Sequence, residues 1–375
     1  MTLPTPRTIA AAQAASSRMA GRDTPFVFDE WYVAAFGEEL GWRLTPRRIL
    51  GKRIVMFRTE AGVPAALEDR CAHRSYPLSA GTLERDTIVC GYHGFRYNSA
   101  GDCVEVPSQP KCPKDIGVRA YPLVERGALV WIWMGDPDKA DLDRLPPQEW
   151  IVDPDWAKTS GYFRLPGNYV SLHENLLDLT HLSYLHAKSF GTPDYARAPF
   201  DVTVEDGYFK LERTVAPTTL PPVWAKPTGL MGVSTAARIA TSEFLSPAFH
   251  QVGVTFYDTA LPEAARVTSR VRTAHLVTPE TQGSTHYFLV HGRDFAQQDP
   301  ALGAYMHEQL FAAFQEDVDG LSLLEEVLEE TGGDAYEISV QSDAPAIAMR
   351  RYLKDRAEAA CAEPSAGAQV VGFRS

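Results

Sequence analysis

Apolar and polar positions follow two different rhythms along this chain. From Phe26 to about Met134 the apolar residues come in short runs broken by turn formers, the pattern of a small all-β domain. Residues 53–58, 66–68 and 87–90 read as strands. Residues 95–97 and 104–106 read as a hairpin around the Asn, Gly and Asp of 98–102, which supply turn geometry. A second hairpin joins 121–125 to 128–134 through Arg126-Gly127, and its last strand is apolar at every position, so it is predicted to be buried. Residues 135–147 are polar, contain Pro and have no apolar period, which marks a linker. From Trp156 the rhythm changes. A strand at 162–165 gives way to a helix-like run over 173–186, then to strands at 208–213, 251–259, 266–277 and 285–290. Two helical patterns close the chain, over 300–330 and 345–358. The expected fold is α+β: a curved antiparallel sheet with a long helix across it and a cavity between them. The expected organisation is a mobile N-terminal tail (1–25), with a docking arm as the other reading, an all-β domain (26–135), a linker (136–155), an α+β domain (156–360) and a C-terminal tail (361–375).

Composition narrows the function classes. At 375 residues, two domains are expected, each large enough to bury a core. A net charge of −12 argues against a nucleic-acid or anionic-membrane surface. No apolar run approaches the ~20 residues that span a bilayer, and residues 1–23 lack the apolar stretch of a signal peptide. The five Cys show no disulfide framework, and Cys103, Cys112 and Cys361 read as free thiols. A reduced, cytoplasmic location is expected.

Two stretches carry chemistry. The first pairs Cys71 with His73 and, after sixteen intervening residues, Cys90 with His93. Two thiolates and two imidazoles on short loops fit a structural zinc ion. They also fit a [2Fe–2S] cluster in which two His replace two Cys on one iron. The flanks, Pro77-Leu78-Ser79 and Gly94-Phe95, favour the cluster, because small residues and Pro let two loops close over it. A zinc finger would place its His pair on a helix, and none is indicated here.

The second stretch sets Asp178, His181 and His186 among leucines. Burying these groups is costly unless they are paired or metal-bound. On a regular helix His181 and His186 would stand about 140° apart, so the helix must end, tighten or bulge between them. A further carboxylate comes from periodicity. In the late helix the apolar stripe runs Leu310, Phe314, Leu321, Leu324, Leu328, and Asp317 fills the slot left in it. Either Asp317 pairs with a buried Arg or the backbone, or it completes a two-His, one-carboxylate iron site. Glu316 and Asp319 fall off the stripe and read as solvated, as do Glu325, Glu326, Glu329 and Glu330 at the helix end.

These motifs resemble the Rieske non-haem iron aromatic-ring oxygenases, terminal oxygenase subunit. In the family's cluster motif Pro stands where this chain has Ala72 and Gly91, and Trp where it has Phe95. Asn175–Leu-Leu-Asp178-Leu-Thr-His181, the stretch around His275 and His286, and Gln341-Ser-Asp343 are similar to the vanillate O-demethylase and dicamba monooxygenase branch. The resemblance implies a Rieske domain followed by a catalytic domain of helix-grip, START-like fold. It implies Cys71, His73, Cys90 and His93 as [2Fe–2S] ligands and His181, His186 and Asp317 as ligands of mononuclear Fe(II). It implies Asp178 as the bridge to His93 of a neighbouring subunit in a homotrimer. A His near His275 meets substrate in this branch; hydrogen bonding within the sheet is the other reading. His286 is expected to be structural.

No flavin or nicotinamide fingerprint is present, so electrons must come from a separate reductase, of flavin and [2Fe–2S] type, or a ferredoxin. The expected activity is hydroxylation or O-/N-demethylation of a small aromatic compound, an aromatic acid, with O2. Ring cis-dihydroxylation uses the same ligands, and an electron carrier or binding protein without catalytic iron is the non-enzyme reading.

Overall fold

The computed structural model of the protein describes residues 5–113, 115–332 and 336–362. Of the expected C-terminal tail, residues 363–375 lie outside the described residues. A first helix, α1 (Pro6–Ser16), precedes ten strands: β1 (Glu30–Phe36), β2 (Thr45–Ile49), β3 (Lys52–Arg58), β4 (Pro64–Glu68), β5 (Thr82–Glu84), β6 (Thr87–Val89), β7 (Arg96–Tyr97), β8 (Cys103–Glu105), β9 (Leu123–Arg126) and β10 (Leu129–Met134). They form three small antiparallel sheets, ordered β1-β10-β9, β2-β3-β4 and β5-β6-β7-β8. The β10 run Leu-Val-Trp-Ile-Trp-Met is buried at every position. A strand without alternation must be covered on both faces. Here its side chains share one core with Phe249, Leu276, Phe288 and Val290 of the second domain.

That second domain holds α2 (Glu149–Val152), β11 (Ala157–Leu165), α3 (Tyr169–Leu177), β12 (Phe200–Glu205), β13 (Tyr208–Thr218), α4 (Pro222–Thr228), β14 (Ala236–Ser246), β15 (Phe249–Asp258), β16 (Ser269–Thr281), β17 (Ser284–Arg293), α5 (Pro300–Thr331) and α6 (Ala344–Ala362). One seven-stranded antiparallel sheet runs β11-β17-β16-β15-β14-β13-β12. The 32-residue α5 crosses it, burying Met306, Leu310, Phe314, Asp317 and Leu321. None of the described helices is long and apolar enough to cross a membrane.

Hydrogen bonds fasten the domains to each other. Thr278 Oγ1 donates to the Val33 carbonyl (2.8 Å), and Leu50 N donates to the Pro279 carbonyl (2.7 Å). His286 bonds the Tyr162 hydroxyl through Nδ1 (2.7 Å) and the Arg48 carbonyl through Nε2 (2.9 Å), a structural role.

Three expectations are corrected. The N-terminal segment is not a free tail. After α1, Met19 and Ala20 are buried, the backbone N–H of Ala20 bonds the Arg350 carbonyl (2.8 Å), and Arg350 Nε returns a bond to the Ala20 carbonyl (2.8 Å). Residues 136–155 are not a loose linker, since α2 buries Trp150 and Ile151 and Trp150 Nε1 donates to Gln251 Oε1 (2.7 Å). Glu325 is buried, not solvated: it accepts from Asn168 N (3.1 Å) and pairs with Arg22 (3.1 Å).

Replacing Trp150 by Ala should leave a cavity beside Trp156 and Gly292 and take the donor from Gln251 Oε1. The expected cost is about 3–5 kcal/mol, read as a lowered chemical-denaturation midpoint; an unchanged midpoint would mean α2 does not bind the sheet.

Candidate metal centres

The first centre is built from two loops with one backbone plan. In one, Cys71 N bonds the Tyr76 carbonyl (2.8 Å) and Ser75 N bonds the Cys71 carbonyl (2.9 Å). In the other, Cys90 N bonds the Phe95 carbonyl (2.8 Å) and Gly94 N bonds the Cys90 carbonyl (3.0 Å). Each loop turns through a left-handed residue four after its Cys, Ser75 (φ 57°) and Gly94 (φ 73°). The turns bring the pairs together: both thiols are buried, while the exposed rings of His73 and His93 stand 4.7 Å apart between centroids at 70°. Phe95 stacks on His73 at 4.7 Å. The Tyr97 hydroxyl lies 3.2 Å from Cys71 Sγ and accepts from Ala72 N (3.2 Å). Burial raises the Tyr97 pKa further, so it remains a donor toward sulfur, the kind of contact that tunes a cluster. Burial also pushes the Cys90 thiol up.

The second centre exists because α3 stops. Asn168 caps its start, its side chain accepting from Val170 N. Asp178 ends it by leaving helical geometry (φ −109°, ψ 98°), and its carboxylate accepts from Thr180 N (2.8 Å) to open a 3₁₀ turn over Leu179–Ser183. The chain then doubles back at Gly191, whose N–H bonds the His186 carbonyl (2.9 Å). A Cβ on Gly191 would lie 1.6 Å from the Leu182 carbonyl oxygen, so only glycine fits. The break the spacing required therefore falls where the 3₁₀ turn ends, at Tyr184 (φ −121°, ψ −65°), and the loop returns His186 to His181.

Asp317 meets them from α5. His186 Nε2 is 3.0 Å and His181 Nε2 3.5 Å from Asp317 Oδ1, and one ligand atom from each residue lies within 4.8 Å of the others. Asn175 Nδ2 donates to the same oxygen (3.2 Å). The remaining ring nitrogens are held from behind: His181 Nδ1 by the Asp178 carbonyl, and His186 Nδ1 by Glu316 Oε2 (2.7 Å). Two oriented imidazoles and one carboxylate, facing a cavity, are the donor set of a non-haem Fe(II) site with open positions. Burial alone would raise the Asp317 carboxyl, but the bond from His186 and the charges of both His hold it below its ordinary value. Burial lowers His181. Burial also opposes the proton on His186, yet Asp317 and Glu316 raise it above the ordinary histidine value.

Behind these groups opens a cavity of about 60 Å³, walled by Phe190, Trp224, Val252, Val254 and Phe314 among others. His275 lines it too. Its Nδ1 bonds the Tyr287 hydroxyl, and burial brings its pKa down to about 3, so it is a neutral imidazole. The sequence expectation for Glu316 is corrected here, because it orients His186 rather than standing in solvent. No periodicity pointed to it, nor to Asn175 or to Arg238 in the cavity wall. Asp178 is half-buried and, within the chain, its carboxylate bonds Thr180 N and not His93.

Residues 30–122 match the Rieske [2Fe-2S] domain, and residues 165–359 match the vanillate O-demethylase oxygenase C-terminal domain. The chain belongs to the Rieske non-haem iron oxygenases. The toluene-4-sulfonate monooxygenase system iron-sulfur subunit TsaM1 of Comamonas testosteroni is 33% identical to this oxygenase over 339 residues, covering 88% of this chain and 96% of the relative. The dicamba O-demethylase oxygenase component of Stenotrophomonas maltophilia is 35% identical over 297 residues, 78% of this chain and 86% of its own length. The crystal structure of dicamba monooxygenase bound to 3,6-dichlorosalicylic acid superposes with a TM-score of 0.84 at 30% identity, covering 90% of this chain and all of that one. Such oxygenase components carry a [2Fe–2S] cluster and non-haem iron and draw electrons from a separate reductase or ferredoxin.

Iron loading at the second centre should be pH-dependent, because a metal must displace the His186 proton. With that pKa raised, mononuclear iron should be retained above it and lost as pH falls through it, while the two cluster irons remain. Iron assays across pH check this. His181→Ala should lower the count from about three to about two irons per chain; loss of none would remove His181 from the ligand set.

Proposed function

We propose that this oxygenase hydroxylates, or demethylates at O or N, a small aromatic compound, with His181, His186 and Asp317 holding the catalytic iron and Cys71, His73, Cys90 and His93 the cluster. The observation that carries the reading is the meeting of two imidazole Nε2 atoms and one carboxylate oxygen at the wall of a largely apolar cavity. When bound, the cluster supplies single electrons and the mononuclear iron supplies O2 activation, with one oxygen atom entering substrate and the other leaving as water.

The chain's own residues do the rest. The Asp178 carbonyl and the Glu316 carboxylate hold the Nδ1 side of His181 and His186, which fixes both rings and leaves Nε2 for metal. Asn175 keeps Asp317 Oδ1 in place. Phe190 stacks on His186 (4.4 Å) and, with Trp224 and Phe314, makes an apolar bed for an aromatic ring that excludes water from the reacting carbon. His275, neutral and anchored by Tyr287, presents its other nitrogen as a contact for a polar ring substituent. Hydroxylation of an O-methyl carbon gives a hemiacetal, which breaks down to a phenol and formaldehyde.

Electrons cross between subunits of a homotrimer. Asp178 spends Oδ1 on Thr180 N and has Oδ2 without a hydrogen-bond partner among the described residues, on a half-buried stretch beside exposed Tyr184 and Leu185. That oxygen is the bridge to the exposed cluster histidine, His93, of a neighbouring copy.

A screen of small aromatic acids and ethers with a surrogate reductase tests the reading. Substrate-stimulated O2 uptake with formaldehyde release is expected; hydroxylated product without formaldehyde would leave hydroxylation alone, and no stimulated uptake would overturn the proposal. Asp178→Asn should keep both iron sites filled yet slow turnover by about 10–100-fold. Native turnover in an intact trimer would end the bridging role.

A further inference from the structure

Two buried arginines flank Tyr195, and they are spent differently. Arg213 Nη1 donates to the carbonyls of Tyr195 (2.8 Å), Ala196 (3.1 Å) and Ala198 (3.2 Å), and its Nη2 to Thr180 Oγ1 (3.3 Å), so it ties the loop after His186 to the sheet. Arg238 makes one hydrogen bond, from Nη1 to the Phe190 carbonyl (2.9 Å). It is 2% exposed, its Nε has no partner, and no acid lies within ion-pair distance of it among the described residues. Asp194 is the carboxylate that faces it, and one of its oxygens is taken by the Thr218 hydroxyl (2.7 Å). The guanidinium lies over the rings of Tyr195 (4.6 Å) and Trp224 (6.0 Å) and lines the cavity.

Its place in the sheet is informative. On the cavity face, Arg238 stands beside Phe256, Ala240 beside Val254 and Val271, Ser242 beside Val252 and Thr273, and Phe244 beside His250 and His275. Arg238 and His275 thus stand three rows apart, with alanine and valines between them. The Asp317 charge bears on His275, whereas Tyr195 and Asp194 are what bear on Arg238. The cation is therefore at the end of the cavity away from the carboxylate of the iron triad. A buried cation with unused planar donors calls for an anion, and the matching groups are a carboxylate or a sulfonate.

We propose that Arg238 is the specificity-determining residue of this cavity, binding the carboxylate or sulfonate of an aromatic substrate whose ring lies over the Ala240, Val252 and Val254 surface. The inference rests on the reading of this cavity as the substrate site. It predicts discrimination by charge, independent of which substituent is oxidised.

The test is binding of benzoate and benzenesulfonate, against their uncharged amides benzamide and benzenesulfonamide, to the iron-loaded protein by isothermal titration calorimetry. At least one anion should bind about 30-fold or more tighter than its amide to the native protein. Arg238→Lys should keep part of that preference. Arg238→Gln and Arg238→Met should bring the ratio near one, with cluster absorbance and iron content unchanged. If both amides bind as tightly as their anions, the proposal is overturned without any variant. A preference that survives in either neutral variant also overturns it, because the anion then sits on the iron or elsewhere. Binding is read without turnover, so failure of the oxygenase reading would show separately, as absent O2 uptake with this ratio still measured.

Discussion

One buried carboxylate constrains most of the second domain. Asp317 sits on the core face of α5 and shares a single oxygen among His186, His181 and Asn175. An unpaired carboxylate there would cost several kcal/mol, so each neighbouring element has to deliver a partner. The end of α3 at Asp178, the return of the loop at Gly191 and the second acid Glu316 on the same helix turn all serve that requirement. Metal coordination is the arrangement in which none of these groups is left uncompensated.

The two domains are less separable than their architectures suggest. Strand β10 has no free face, and its core residues mix with those of β15, β16 and β17. The segment that joins the domains contributes Trp150 and Ile151 to that shared interior. The cluster loops have their own small core around Val55, Phe57, Leu78 and Tyr97. The cluster histidines, His73 and His93, stay exposed.

Much of this was legible in the residues, and the exceptions have physical reasons. Cys–His spacing, the His181–His186 mismatch with a regular helix and the acid in the α5 stripe each marked a local cost that a site would offset. The stripe itself misled further along. Its alternating steps of four and three average 3.5 residues per turn, and such a stripe drifts around a straight 3.6-residue helix by ~20° per heptad. By the last turns the buried positions are Val318, Leu321 and Glu325, and Leu324 is 42% exposed. Strand β14 escaped notice because its buried positions are three alanines, an arginine and a serine ahead of Phe244, with no β-branched residue among them, and β12 because it is an edge strand with outward valines. Glu316 was invisible because its partner lies on a different element, 130 residues away.

The cavity is assembled from two independent sources. Its metal-facing groups come from the α3 loop and α5, while the wall across from them comes from side chains on β14, β15 and β16. A change of residue on the strand wall alters what fits without touching the donors or the groups that orient them. Drift in sequence is therefore cheap on one side of the pocket and punished on the other, and a family built this way can acquire new substrates while its oxidation chemistry stays fixed.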